Sequence, residues 1–250
     1  MAKDAKSAFC EDSRVKFPTL MHLMGMGFKY VSLKGLKTKY VEAPKTEFDP
    51  LTNILTDYFT DAYCTLNPKA EKKDAEDMLV KIQKSLQNDD LGRQFYNEIL
   101  LNTGERIIDL SSPANFYRNN TFLVTTEMTC GSKDSDNYRP DITIFVNGLP
   151  LAFIEVKKEN NHKGIQAETD RMKQRFVNPQ YRRFLNITQI MVFSNDMEYD
   201  NNEVTPTIGA FYATNGKKNT KYNCFREEGQ DSFPTARHKH QETPEEEEVL

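Results

Sequence analysis

The sequence predicts an α/β fold: a mixed central sheet flanked by helices, with an N-terminal helical layer. Three observations predict it. Amphipathic helical patterns dominate up to Gly104, and short apolar β-rich segments dominate after it. One charged helix separates the fourth of those segments from the fifth. Helices first, then a sheet crossed by a helix, describe one α/β unit rather than a string of separate domains.

Residues 1–13 read as a loose leader, 14–235 as a single domain, and 236–250 as a disordered acidic tail or linker without apolar periodicity. In 14–33, Leu20, Leu23 and Met24 share a helical face. The helix stops near Gly25 or Gly27, and a strand runs through Phe28, Tyr30 and Val31. A second helix is expected after Pro50, with Leu51, Ile54, Leu55 and Phe59 on one face and Pro68 closing it. "AEKKDAEDMLVKIQKSL" and "DDLGRQFYNEILLN" give two more amphipathic helices, the latter capped by Asp89 or Asp90. The strands expected next are "RIIDL", "TFLVTTEMT", "DITIFV", "LAFIEVKK", "QIMVFS" and "IGAFYAT". A charged helix covers about 163–176, and "NPQYRRFLN" forms a short helical turn.

Composition narrows the class. No apolar run approaches the roughly 18 residues of a membrane span, and "MAKDAKSAFCEDSR" has no secretory apolar core. Cys10, Cys64, Cys130 and Cys224 are scattered without a CxxC pair, which fits free thiols in a reducing cytoplasm rather than a zinc site. The net charge of −4 owes much to Glu242 and Glu245–Glu248 in the tail; without those five the balance is 33 basic against 32 acidic residues. From Lys157 to Arg183, eight Lys or Arg face three acidic residues. Such a stretch suits phosphate contacts, although a charge run is as readily a solvated helix face. "TNGKKNT" has Phe211 where a phosphate-binding loop needs its first glycine, so no ATP site is expected in this chain.

The chemistry concentrates in "RPDITIFVNGLPLAFIEVKKEN", residues 139–160. It reads as strand, Asn147-Gly148 turn, strand, yet Asp141 opens it and Glu155 and Lys157 close it. Glu155 and Lys157, two apart, share a face. A strict two-residue loop pairs Asp141 with Ile154 and sends the carboxylates to opposite faces. One extra residue pairs Asp141 with Glu155 instead. Pro150 cannot donate to a ladder, so a bulge or three-residue loop between 147 and 151 is expected. Two carboxylates and an ammonium at one sheet edge suit a hard divalent cation and phosphodiester hydrolysis. The bland alternative is a surface Glu–Lys pair beside an unrelated Asp.

"RPD" followed by "EVK" resembles the PD-(D/E)xK nuclease signature. With "FDPLTNIL", "GRQFYNEILLNTGERIIDL" and "NITQIMVFSN", the chain from about 10 to 226 is similar to the nuclease region of the restriction (R) subunit of type I restriction–modification enzymes. The resemblance implies a restriction-endonuclease-like fold, with Asp141 and Glu155 as metal-binding carboxylates and Lys157 as catalytic lysine. It implies Mg²⁺, for which Mn²⁺ substitutes, and double-stranded DNA as substrate. It further implies partner methyltransferase and specificity subunits, and an ATP-driven motor in the full-length protein. Family members carry a Gln-x-x-x-Tyr motif on the following helix; here Asp170 and Gln174 stand in its place, so Gln174 is a catalytic candidate opposed by an exposed helical Gln. An upstream helical glutamate often assists the metal, and Glu11 is the candidate, since the first helix carries Lys16. Lys158, Arg171, Lys173, Arg175, Arg182 and Arg183 are the expected contacts to DNA phosphates. The competing readings are a nuclease fold that docks or clamps DNA without cutting, and a stand-alone repair or recombination nuclease.

Overall fold

The computed structural model describes residues 15–37, 42–43, 45–102, 104–130, 138–157, 164–194, 210–214 and 223–224. The expected leader, the tail, Glu11 and Lys158 lie outside them.

Helix α1 (Phe17–Gly25) has Pro18 in its first turn, where a missing N–H is harmless. It ends as its sequence suggests. Gly27 takes φ +102°, and the amides of Gly27 and Phe28 bond back to Met24 O and Leu23 O. The chain then enters β1 (Lys29–Tyr30), followed by a separate ladder of β2 (Leu36–Lys37) with β3 (Glu42–Ala43).

The second helix starts later than its apolar spacing predicts. Helix α2 is Thr56–Leu66. The preceding residues form a turn around Asp49, whose carboxylate accepts from Leu51 N, the Thr52 hydroxyl and the Gln83 amide. Asn53, at φ +62°, breaks any helix there, and Leu51 is left exposed. Helix α3 (Lys72–Ser85) begins with a reciprocal Glu71–Asp74 capping box. Asp90 caps the next helical segment, accepting from the amides of Gly92 and Gln94; that segment ends as a π-helix over Phe95–Leu100.

"RIIDL" is not a strand. Ile107 and Ile108 are buried against α2 and α3, while the Asp109 carboxylate takes the Ser111 amide and hydroxyl and the Asn119 amide group. These local bonds outcompete a ladder and lead into α4 (Pro113–Asn119), capped by Ser112.

Five further strands match the expected segments, β4 (Phe122–Thr126), β5 (Ile142–Val146), β6 (Leu149–Val156), β7 (Ile190–Ser194) and β8 (Ala210–Ala213), and a short β9 (Asn223–Cys224) is not among them. Helix α5 (Gly164–Val177), a 3₁₀ turn (Pro179–Tyr181) and α6 (Arg182–Ile187) make the crossover from β6 to β7. The sheet order is β1-β4-β5-β6-β7-β8-β9. β1/β4 and β6/β7 are parallel and the other neighbours antiparallel, so the sheet is mixed. One face packs Phe145, Phe153, Met191 and Phe193 against Met172 of α5 and Phe184 of α6. The other packs Val124, Ile142, Ile154 and Val156 against Leu20 and Leu23 of α1. No helix among the described residues is long and apolar enough to cross a membrane, and Cys64 and Cys130 are free thiols.

The β5–β6 hairpin carries the bulge that the carboxylate argument demands. Asn147 (φ +52°) and Gly148 (φ +79°) make a two-residue turn of the I′ kind. Val146 pairs Leu149, Phe145 pairs Pro150, and Ile144 then pairs Ala152, leaving Leu151 over. Asn147 is buried: its amide group donates to Ile107 O and Asn120 Oδ1, and its Oδ1 accepts from Thr121 N. Gly148 lies under the start of α2, with its carbonyl accepting from Leu55 N. A Cβ there would sit 2.5 Å from Leu55 O and 2.9 Å from Phe59 N. Gly148→Ala is therefore expected to lower stability by about 3 kcal/mol, measured by denaturant unfolding; a loss too small to measure would mean that the turn relaxes freely.

Candidate active site

Asp141 precedes β5, and its Oδ2 accepts from Val156 N at 2.9 Å, tying the carboxylate to the end of β6. With Ile142 opposite Ile154, the bulge brings Asp141 opposite Glu155. The strands thus place Asp141, Glu155 and Lys157 on one face, the face covered by α5. This is the juxtaposition that the sequence predicted.

Burial deepens across the group. The side chain of Asp141 is 17% exposed, Lys157 14%, Glu155 7% and Glu168 of α5 only 1%. Lys157 Nζ lies 3.9 Å from Glu155 Oε2 and 3.5 Å from Glu168 Oε2. Arg175 Nη1 lies 2.8 Å from Glu168 Oε1 and 3.8 Å from Glu155 Oε1, and its guanidinium sits 3.8 Å from the centre of the Tyr138 ring. Lys16, just before α1, bridges Asp141 Oδ1 at 3.4 Å and Glu127 Oε1 at 3.2 Å. Glu127 itself is held at φ +52° beyond the end of β4.

Glu155 is the electrostatic extreme. Burial, then the Glu168 and Asp141 carboxylates, push its pKa up to about 8, against the pull of Lys157 and Arg175. Its Oε1 and the Tyr138 hydroxyl are buried without a hydrogen-bond partner among the described residues. A buried carboxylate oxygen left open in this way suits a proton or a cation. No group of three His, Cys, Asp or Glu that could hold a metal ion occurs among the described residues.

The other candidates fare unevenly. Gln174 is exposed and sits about 100° around α5 from Arg175, away from the carboxylates. Arg175 is not a free phosphate contact, because it is turned inward onto Glu168. Arg171 is exposed yet paired with Glu168 at 3.0 Å, and Lys173 pairs with Asp170. Arg182 is half-buried, with Nη1 3.5 Å from Gln87 O, and Arg183 buries an unpartnered Nε. Sequence reasoning counted Glu168 merely as a charge in a basic run. Its signal was helical phase, since Glu168, Met172 and Arg175 lie on one face of α5 with Met172 fully buried. Tyr138 and Glu127 carried no comparable signal.

Comparison with known proteins points to one family. The family described as "Type I restriction enzyme R protein N terminus" matches residues 9–205. A protein of Methanocaldococcus jannaschii, the "Putative type I restriction enzyme MjaIXP endonuclease subunit", is 26% identical over 226 residues, covering 82% of this chain and 20% of that protein. The chain thus spans about a fifth of the length of the curated relative it matches.

The raised Glu155 value has a stability consequence. Between the ordinary value of 4.5 and about 8, the folded chain holds a proton that the unfolded chain has released, so stability falls as pH rises through that window. Glu155→Gln mimics the protonated form. In metal-free thermal melts the variant should match the wild type at the acid end of the window and exceed it at the alkaline end. Parallel profiles would contradict the burial argument.

Proposed function

The chain belongs to the type I restriction enzyme R protein N-terminal family, and from that premise we propose that it is a metal-dependent endonuclease domain hydrolysing DNA phosphodiester bonds. Cutting has little sequence preference and follows ATP-driven translocation by a motor elsewhere in the full-length subunit. The methyltransferase and specificity subunits of a restriction–modification complex choose the site. One observation carries the reading. A bulged hairpin puts Asp141, Glu155 and Lys157 on one face, with a buried Glu155 oxygen open beside them.

The residues fit a divalent metal. Glu155 Oε1 has no hydrogen bond among the described residues, and Asp141 Oδ1 holds only the Lys16 ammonium at 3.4 Å, which a divalent cation would displace. Two hard oxygen donors, with water and phosphate completing the shell, suit Mg²⁺ or Mn²⁺. Such an ion supplies Lewis acidity toward a phosphoryl oxygen and a water acidic enough to ionise. The chain's own residues do the rest. Asp141 and Glu155 would hold the ion, while the Lys157 ammonium would offset charge developing on the phosphoryl oxygens. Arg171 and Lys173, exposed on α5 and each paired to an acid of the same helix, are the basic side chains there that could turn to the phosphate backbone.

Titrating Mn²⁺ into the chain at neutral pH should give a heat of binding that Asp141→Ala abolishes; equal heats from both proteins would remove the metal from this site. Lys157→Ala should keep that heat yet lower DNA cleavage by the assembled enzyme roughly 100-fold or more. Cleavage at the wild-type rate would instead favour a non-catalytic lysine. DNA binding should weaken steeply with salt, and salt-insensitive binding would argue against phosphate contacts.

A further inference from the structure

We propose that Glu168 is a positioning residue that anchors the Lys157 ammonium at the active site, independently of Glu155. The inference rests on the nuclease reading above and deepens it.

Lys157 leaves the end of β6 on a long, flexible stem. Its backbone is fixed by Lys157 N donating to Ser194 O at 2.8 Å, but this does not fix the ammonium four methylenes away. Three oxygens do: Val156 O, which accepts a hydrogen bond at 3.0 Å, and two ion-paired carboxylate oxygens, Glu168 Oε2 at 3.5 Å and Glu155 Oε2 at 3.9 Å. The nearer carboxylate is therefore not the strand neighbour but the one from α5. Glu168 is almost completely buried, and it is held on both oxygens, by Arg175 Nη1 on Oε1 and Arg171 Nη1 on Oε2. Arg175 is in turn packed flat against Tyr138 and reaches toward Glu155. The Glu168 carboxylate is thus a fixed point on a rigid helix rather than a mobile surface charge.

The geometry separates two duties. A Glu155 carboxylate engaged with a cation cannot also neutralise Lys157. Glu168 is bonded by a protein guanidinium on each oxygen, so it stays fixed beside Lys157 and keeps the ammonium in place whatever Glu155 holds. A purely structural pair needs only Arg175 and Glu168. The shared Oε2, lying toward Lys157, is what points beyond that.

The test combines cleavage kinetics with a readout that needs no activity. In the assembled full-length enzyme, Glu168→Gln should lower kcat roughly 10- to 100-fold, with KM for DNA within about two-fold. In a Lys157→Ala background the same change should cost nothing further, and Glu168→Asp should recover part of the loss. Additive losses in the double variant would assign Glu168 to the fold alone and overturn the proposal. On the chain itself, acylation of Lys157 followed by mass spectrometry should speed up several-fold in Glu168→Gln, and an unchanged rate would overturn the anchor. Should that variant fail to fold, Glu168→Leu combined with Arg175→Met removes both ends of the buried pair and takes its place. An inactive wild type, or one whose Asp141 binds no Mn²⁺, would sink the nuclease reading, while the acylation rates would still decide whether Glu168 holds Lys157.

Discussion

The register of a single hairpin governs this molecule's chemistry. In a regular β5–β6 ladder the side chains of Asp141 and Glu155 would project from opposite faces of the sheet, out of reach of any common ligand. The surplus residue, Leu151, corrects this by one position, and everything downstream inherits the correction. It aims Glu155 and Lys157 at α5 and Ile154 and Val156 at α1. The turn that fixes the count is itself immobilised. Asn147 is bonded to the backbone on two sides, and Gly148 is pressed so closely under α2 that no larger residue fits. The N-terminal helices thus act on the site from a distance, by clamping the end of the hairpin from which register is counted.

The charges are shared out on this scaffold by reach rather than by depth. Glu168, the deepest carboxylate, takes both guanidinium groups from its own helix, Arg171 and Arg175, with the better-buried Lys157 ammonium beside them. Lys16, also largely buried, takes Asp141 and Glu127. Replacing such an ion-pair network with apolar residues is often no loss in stability, so its presence at a sheet edge is better explained by the work done there.

Much of this was legible in the sequence because it follows from local rules. Asp90 capping its helix, Gly27 ending α1, the five apolar strands after Thr121 and the bulge itself each come from a residue type meeting a backbone need. The misreadings share one cause, side chains bonding locally where periodicity suggested a regular element. Asp49 holds its turn and delays α2 to Thr56, and Asp109 with Ser111 diverts "RIIDL" out of a sheet. Helix α4 was missed although Ser112-Pro113 is a start signal, because its seven residues are too few to show a period. The roles of Tyr138 and Glu127 depend on chain segments meeting across the fold, and no spacing reveals that.

Glu155 shows how the two levels join. Counting the carboxylates Asp141, Glu155, Glu168 and Glu127 against the cations Lys16, Lys157, Arg171 and Arg175 suggests balance, but geometry divides them unequally. Lys16 serves Asp141 and Glu127; Arg171 and Arg175 lie nearest Glu168; Lys157 is shared. Glu155 is left with contacts of 3.8 and 3.9 Å and one oxygen that nothing donates to. A carboxylate so placed must take either a proton or a cation. The buried anion of Glu168 works in both directions: it raises the proton affinity of Glu155, and it draws Lys157 and Arg175 away from it. By holding those cations slightly too far off to satisfy Glu155, the fold leaves that carboxylate the least neutralised of the four.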